Sequence, residues 1–424
     1  MKKFLAIALL ALGVVMCLTS NAGAIPMFAR MYSYDCSTCH YPGYGQLNKF
    51  GYKFRAAGYR IPSDIGKDMN DGKFDLTNYM SFRYSGGLSA TTTSNANQAS
   101  TPDNLSFTLG GASIFLGGGI SKNFFTYSEL GLGDGSGIFA GSAPALSNAK
   151  IGYVSGTEDD FFTVRIGKFA ADGFGGSDRG AAGNATIASA IKPTGTGIEL
   201  GYTHQDFRAT LSFYNGIQND QDTGLINPKN GNANTAAPNG TTSDSNNAKD
   251  LELTINQFIG DDGMALNYFF YNGSNSSLAS NGTAYAVNKG GTGDAVGQEY
   301  FTTALFFSTP LVKNLDFKTG GELAQTGTGI FTQTGAVMGP FNGGFFGELD
   351  YTMDDLTPLV FRCDYGSSDL NSQYTDTVKF TLGALTPVVH VIYMNPQITL
   401  TMADQGSIGY NDVYKFTDSL NVFF

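Results

Sequence analysis

From residue 74 to the last residue, apolar and polar positions alternate with a period of two in run after run, the pattern of strands with one apolar and one polar face. In 74–85 the apolar positions Leu76, Met80, Phe82 and Tyr84 stand against Asp75, Thr77, Ser81 and Arg83. In 251–259 Leu251, Leu253 and Ile255 alternate with Glu252, Thr254 and Asn256. The closing stretch sets Tyr414, Phe416, Leu420, Val422 and Phe424 against Lys415, Thr417, Ser419 and Asn421. Strands are expected at 74–85, 104–118, 122–132, 147–156, 161–169, 196–204, 207–215, 249–259, 263–272, 298–309, 314–325, 341–352, 357–366, 376–385, 388–402 and 411–424. That is about sixteen, an even number, with lengths suited to crossing a bilayer at a tilt.

The connections carry the topology. They alternate long and short: 86–103 long, 119–121 short, 133–146 long, 157–160 short, 170–195 long, 205–206 short, 216–248 long, 260–262 short, and so on to the end. Outer-membrane barrels join their strands by short periplasmic turns and long external loops. The expected fold is therefore all-β, an antiparallel outer-membrane barrel with one face of each strand on lipid and the other on a polar lumen. A soluble sandwich has no reason to keep this rhythm. The terminal Phe424 resembles the C-terminal aromatic that the barrel-assembly machinery recognises. The longest connection, 216–248, is rich in Asn, Gly, Thr and Asp and reads as a solvated external segment. Its Asp220 and Asp222 lack the spacing of a calcium loop.

Composition agrees. Charged residues make up 14% of the chain, where about 25% is usual. Gly (56), Phe (33) and Tyr (22) are abundant and Trp is absent. Beyond the first two dozen residues no apolar stretch is long enough for a spanning helix. Residues 1–24 read as an export signal, with Lys2 and Lys3, an apolar run from Phe4 to Leu18, and Ala22-Gly23-Ala24 as the cleavage site. Met16 precedes Cys17 where a lipoprotein signal would carry a small residue. The expected domains are thus 1–24 signal, 25–73 head segment and 74–424 barrel.

The head segment carries the chemistry. Cys36-Ser37-Thr38-Cys39-His40 is a C-x-x-C-H motif in an exported chain. Two thiols at this spacing each add to a haem vinyl group, and the adjacent imidazole takes an axial position on the iron. The competing readings are a redox dithiol, which wants a βαβ context that is absent, and half of a zinc site, which wants a second Cys/His pair. The motif predicts one covalent haem c on Cys36 and Cys39 with His40 as axial ligand. The distal ligand stays open. His204 and His390 fall on the lipid-facing parity of their strands, as does Met80. Met69 is the first choice because the chain can fold back there, with Met31 and Met27 as alternatives.

A segment of about fifty residues is too small to enclose a haem with a core of its own. Its aromatic residues, among them Phe28, Tyr32, Tyr34, Tyr41, Tyr44, Phe50, Tyr52, Phe54 and Tyr59, predict that it plugs the lumen, which completes the pocket. The alternative is a small cytochrome tethered in the periplasm. A plug fits function better, because one haem joins the two sides of an apolar band about 25 Å tall only from within it.

Ile25-Pro26-Met27-Phe28-Ala29-Arg30, the C-x-x-C-H motif, Leu47-Asn48, Gly51, Phe54 and Gly58-Tyr59 together resemble the head of the fused cytochrome–porin family. That family includes outer-membrane iron oxidases of Fe(II)-oxidising bacteria. The resemblance implies covalent haem on Cys36 and Cys39, an iron ligand at His40, and a sixteen-stranded barrel behind the head. Two places depart from the family pattern: Met31-Tyr32-Ser33 stands where Gln-Thr-Gly is usual, and Gly45-Gln46 replaces a Pro before Leu-Asn. Related proteins occur in metal-reducing bacteria as well, which leaves the direction of electron flow open.

The expected function is electron transfer across the outer membrane, from an extracellular donor such as Fe(II) to a periplasmic cytochrome c or similar carrier. The formal net charge of −11 attracts cations to the mouth or serves solubility. A diffusion porin with a structural or regulatory haem head is the second expectation. A peroxidase is the third, and it would need a distal His/Arg pair from Arg30, Arg55 or Arg60. Lipid is the expected environment and no nucleic-acid partner is expected.

Overall fold

The structure is a computed structural model that describes residues 26–40, 47–68, 76–95, 98–132, 145–170, 194–214, 250–260, 264–276, 297–326, 330–332, 335–337, 341–353, 357–367, 376–389, 392–404 and 410–423. The described head contains helices α1 (Pro26–Tyr32), α2 (Cys36–Cys39) and α3 (Lys49–Ala56), followed by single 3-10 turns at Pro62–Asp64 and Leu76–Asn78. The described strands are β1 (Met80–Asn95), β2 (Gln98–Gly119), β3 (Phe124–Gly131), β4 (Ala145–Gly156), β5 (Asp160–Ala170), β6 (Thr194–His204), β7 (Phe207–Tyr214), β8 (Asp250–Ile259), β9 (Met264–Ser276), β10 (Gly297–Val312), β11 (Leu315–Thr326), β12 (Ile330–Thr332), β13 (Gly335–Val337), β14 (Phe341–Met353), β15 (Thr357–Ser367), β16 (Asp376–Ala384), β17 (Thr386–Val389), β18 (Ile392–Asp404) and β19 (Tyr410–Phe423). β12 and β13 pair only with each other as a small hairpin.

All the others form one antiparallel ring that closes where β19 pairs with β1. β16 and β17 both pair with β18 and are two halves of one strand interrupted at Leu385, so the ring has sixteen staves. The alternation expected from sequence is realised. On β8 Glu252 and Thr254 are completely buried inside, while Leu251, Leu253 and Ile255 face out. Outward apolar side chains such as Leu105, Phe107, Phe345 and Phe361 stand at 50–84% exposure. In water so large an apolar surface would be an aggregation liability; in a bilayer it is the solvated face.

Four boundaries differ from expectation. The stretch 86–103 is not a long loop: β1 and β2 continue through it, leaving only residues 96–97 between them. Its Ser/Ala/Thr run has no apolar face to betray a strand, yet β-branched Thr suits a pleated ladder and the register holds from Leu88 to Thr91. β10 runs on through Pro310, and β17 carries Pro387 where a turn was expected. Both prolines sit at register shifts, where a missing N–H costs no ladder bond. β1 starts at Met80 rather than residue 74, because Leu76–Asn78 forms a 3-10 turn. The 216–248 stretch with Asp220 and Asp222 lies outside the described residues.

The head packs against the inner wall at the short-turn end. Phe54 and Tyr59, each 5% exposed, are covered by Phe125, Val154 and Phe161 from β3, β4 and β5, while Phe28, Tyr32 and Phe50 pack beside them. Tyr59 stacks on Tyr127 with ring centroids 4.9 Å apart, and Tyr52 meets Phe258 edge-on at 5.6 Å. Burying each such ring contributes about 1.5–3 kcal/mol. Tyr52, Phe54 and Tyr59 are thus the rings of the aromatic set that meet the barrel, while Phe28, Tyr32, Tyr34 and Phe50 pack on one another and on Phe54 within the head. Tyr41 and Tyr44 lie outside the described residues.

Polar contacts fix the seat. Fully buried Arg60 donates to the carbonyls of Ser121 (3.1 Å), Lys122 (2.6 Å) and Phe124 (2.8 Å) in the β2–β3 turn. Lys49 and Lys53 reach Asp206 in the β6–β7 turn at 2.8 and 3.3 Å. Burial pushes the Asp206 carboxyl up, but its bonds to Lys49 and Lys53 and their charges prevail and hold it below its ordinary value. Its stabilising contribution is thus present at neutral pH and is lost only as pH falls through the depressed value, below the ordinary range of about 4. Arg30 donates to the carbonyls of Thr77, ahead of β1, and Met80, its first residue.

Two outcomes follow from this arrangement. Epitope tags inserted in 216–248 or 277–296 should be accessible on intact cells while a tag at 260–262 is not; labelling only the 260–262 tag would invert the topology. Arg60→Ala leaves three turn carbonyls without their donor, a loss of about 3 kcal/mol in docking. The variant's head should be cleaved faster in limited proteolysis while the folded barrel still migrates as a heat-modifiable band. Equal cleavage of both proteins would show that Arg60 does not hold the seat.

Candidate functional site

The C-x-x-C-H residues form one turn of helix, α2, that places positions 36 and 39 on one face. His40 follows at once, half-buried, and its backbone bridges to Leu47. Asn48 then does two jobs. Its side-chain oxygen caps α3 by accepting from Gly51 N–H (2.9 Å), the use for which Asn is favoured at a helix start. Its amide nitrogen donates to the carbonyls of Ser37 and Thr38, both at 3.1 Å. One side chain thereby ties the motif to the helix that enters the barrel.

Gly51 makes this closeness sterically allowed. A Cβ there would stand 2.0 Å from the Cys39 carbonyl oxygen, so any other residue would force α2 and α3 apart. Gly58 plays the same part at the far end of α3. It lies at φ +77°, and a Cβ would meet the Phe125 ring at 2.3 Å. The chain reverses there, returning Gly58 and Tyr59 N–H to the carbonyls of Arg55 and Phe54. The positions Asn48, Gly51, Phe54 and Gly58-Tyr59, which the sequence comparison picked out only as a resemblance, are thus the ones that join motif, helix and barrel wall. A glycine within a short helix was the available signal for the first contact. The sequence offered Arg60 only as a distal-site candidate, and nothing in it marked Arg60 as an anchor or joined Lys49 to Asp206.

The other candidate ligands fall as follows. Met27 is 1% exposed in α1, and the Met31 Cε lies near Gly118 of β2. Met69 and His390 lie outside the described residues. His204 is at an outward position at the short-turn end, half exposed, with Nδ1 2.6 Å from the Asp160 carboxylate. That position matches an interfacial histidine. Arg30 and Arg60 are committed to backbone carbonyls and Arg55 lies over the Tyr52 ring at 5.1 Å, so these arginines serve structure and do not form a peroxidase-like pair. Among the described residues no cluster of three or more His, Cys, Asp or Glu side chains is arranged to hold a metal ion.

Above the head the lumen is polar and densely paired. Glu199 lies between Arg165 (3.2 Å) and Arg208 (3.7 Å), all three essentially buried. Across the barrel Lys318 and Arg362 both meet Glu348, at 3.4 and 3.2 Å, with Lys318 also on Asp350 and Arg362 on Asp364. Between lie Phe169, Tyr214, Phe269, Tyr271, Phe306 and Phe346, a buried aromatic layer on the inner wall. Arg165 donates to the Arg55 carbonyl at the end of α3, which links head and lumen.

No protein-family model matches the chain, and no curated protein matches it in sequence. Solved structures do resemble it in fold. The outer-membrane channel DcaP of Acinetobacter baumannii is 10% identical, with 83% of this chain and 99% of that one covered at a TM-score of 0.53. OprB of Pseudomonas putida is 10% identical, with 81% and 94% covered at 0.50. An anion-selective porin from Comamonas acidovorans is 8% identical, with 81% and 99% covered at 0.51. Identities this low speak to fold alone. The shared fold and the lipid-facing outer surface make this chain a porin-like barrel of the outer membrane.

Proposed function

We propose that this protein is a cytochrome–porin that carries electrons across the outer membrane, in which Cys36 and Cys39 would attach one haem c and His40 would ligate its iron. The observation that carries the reading is the seating of the motif: Asn48 and Gly51 clamp α2 to α3, and α3 is anchored in the short-turn mouth by Lys49, Lys53 and Phe54. The donor set fits the group, since a thiol-bearing residue occupies each of two positions on one turn of helix and a histidine follows directly. A covalently held haem supplies an iron that takes up and releases one electron. This chain's residues do the rest. Tyr52, Phe54 and Tyr59 press the head against the wall and shield the motif's supporting helix from water. The packing favours a plug over a tethered cytochrome.

In this reading extracellular Fe(II) gives up one electron to become Fe(III), and a periplasmic cytochrome c takes that electron up. Outer-sphere transfer is the mechanism, which needs no dedicated iron site. The same seat serves outward flow in metal reduction. Met69 remains the first choice for the distal ligand, with Met31 and Met27 as alternatives. A second reading, a diffusion porin with a structural or regulatory haem head, draws on the fold neighbours, which are porins and channels. Liposome swelling separates the two: free passage of sugars favours the porin.

Attachment is tested on denaturing gels stained for haem peroxidase activity. Cys36→Ala and Cys39→Ala should each lose stable covalent haem, because each thioether needs its thiol; full stain in both variants rules the assignment out. Function is tested with outward-facing protein in vesicles that enclose an oxidised cytochrome c. External Fe(II) should reduce the enclosed cytochrome, and Cys39→Ala should abolish the transfer. A haem reduced by dithionite but inert to Fe(II) at every pH would keep the conduit and remove iron as its donor.

A further inference from the structure

The inner wall is not uniform. From β5 round to β15 its inward side chains are buried: Arg165, Glu199, Thr254, Glu348 and Arg362 are all 1% exposed or less. On β18, β19 and β1 above Ser81 the described inward positions reach water. Ser89, Thr91, Thr399 and Thr417 are half-buried and Lys415 is exposed. Thr91 and Thr399 flank Lys415 in register, and Ser89 pairs with Thr417 one step below. The strip thus runs down the barrel toward Arg83, which shares its parity near the start of β1.

We propose that this strip is a permeation path for small inorganic anions along one side of the lumen. Hydroxyl groups solvate ions of either sign, so the fixed charges decide. Among described inward side chains on β1, β16, β18 and β19 the charged ones are Arg83, Lys379 and Lys415, with no carboxylate. Two carboxylates face them from neighbouring strands. Asp364 lies opposite Lys379 but is held by Arg362 at 2.9 Å, and Glu129 pairs with Arg83 at 3.3 Å. That leaves Lys415, between two threonines, and Lys379 beside it as the field an entering ion meets. A low-dielectric wall focuses such a field. The formal net charge of −11 taken alone would forecast the opposite preference.

The path does not depend on the haem reading, and its test involves no redox step. Full-length protein in planar bilayers under a KCl gradient should give a reversal potential that favours chloride over potassium. The double variant Lys379→Glu/Lys415→Glu should reverse that preference, and Lys415→Gln should weaken it severalfold without reversal. Lys313→Glu, the same charge change at a periplasmic turn, should leave it untouched. Heat-modifiable migration confirms that each variant is folded. Silent bilayers, a potassium-selective wild type, or wild-type selectivity in the double variant would overturn the proposal.

Discussion

Lipid offers no hydrogen bonds, and that one fact governs this molecule. Each backbone N–H and C=O within the bilayer must find a partner in the chain itself, so a sheet can cross only if it has no free edge. Here the ring closes through thirteen residue pairs between β19 and β1, from Arg83↔Phe423 to Asn95↔Asn411. Closure forces every strand to show one face outward and one inward. It follows that Phe361 must suit lipid while its neighbour Arg362 must find partners inside. Pro310 and Pro387 sit where the ladder is already shifted, so their missing N–H groups leave no bond unmade.

The inward face then becomes a problem of charge. Buried ions are costly unless paired, and the wall meets this by triads in which one carboxylate serves two cations, Glu199 for Arg165 and Arg208, Glu348 for Lys318 and Arg362. Aromatic rings between these triads exclude water; Arg362 lies over Phe346 at 4.5 Å. Where the triads stop, at β18, β19 and β1, the wall turns to Ser and Thr and admits water.

The head depends on that inner wall. Its α3 is eight residues long, too short to be stable alone. What holds it is a set of contacts with distant turns: Arg60 to residues 121–124, Lys49 to Asp206, Tyr52 to Phe258. The proposed haem site inherits its position from these turns, through Asn48 and Gly51. A redox centre on so small a segment gains a fixed place relative to the membrane only by borrowing rigidity from the barrel.

The sequence by itself determined what is periodic or local. Alternation in 251–259 gave β8 and its inward face, because a strand's two-residue period writes burial directly into the order of residues. The C-x-x-C-H spacing likewise predicts the proposed haem site from local order alone, because helical geometry carries positions 36 and 39 to one face without outside help. Only the tertiary structure decided the rest. The Ser/Thr arms of β1 and β2 carry no apolar signal, and only their mutual pairing shows them to be strands. Arg60 reads as one more surface cation until residues sixty positions away supply its acceptors. The division between paired and water-filled walls also arises late, since Lys415 and Lys318 look alike in sequence. Their difference lies in which carboxylates closure brings within reach.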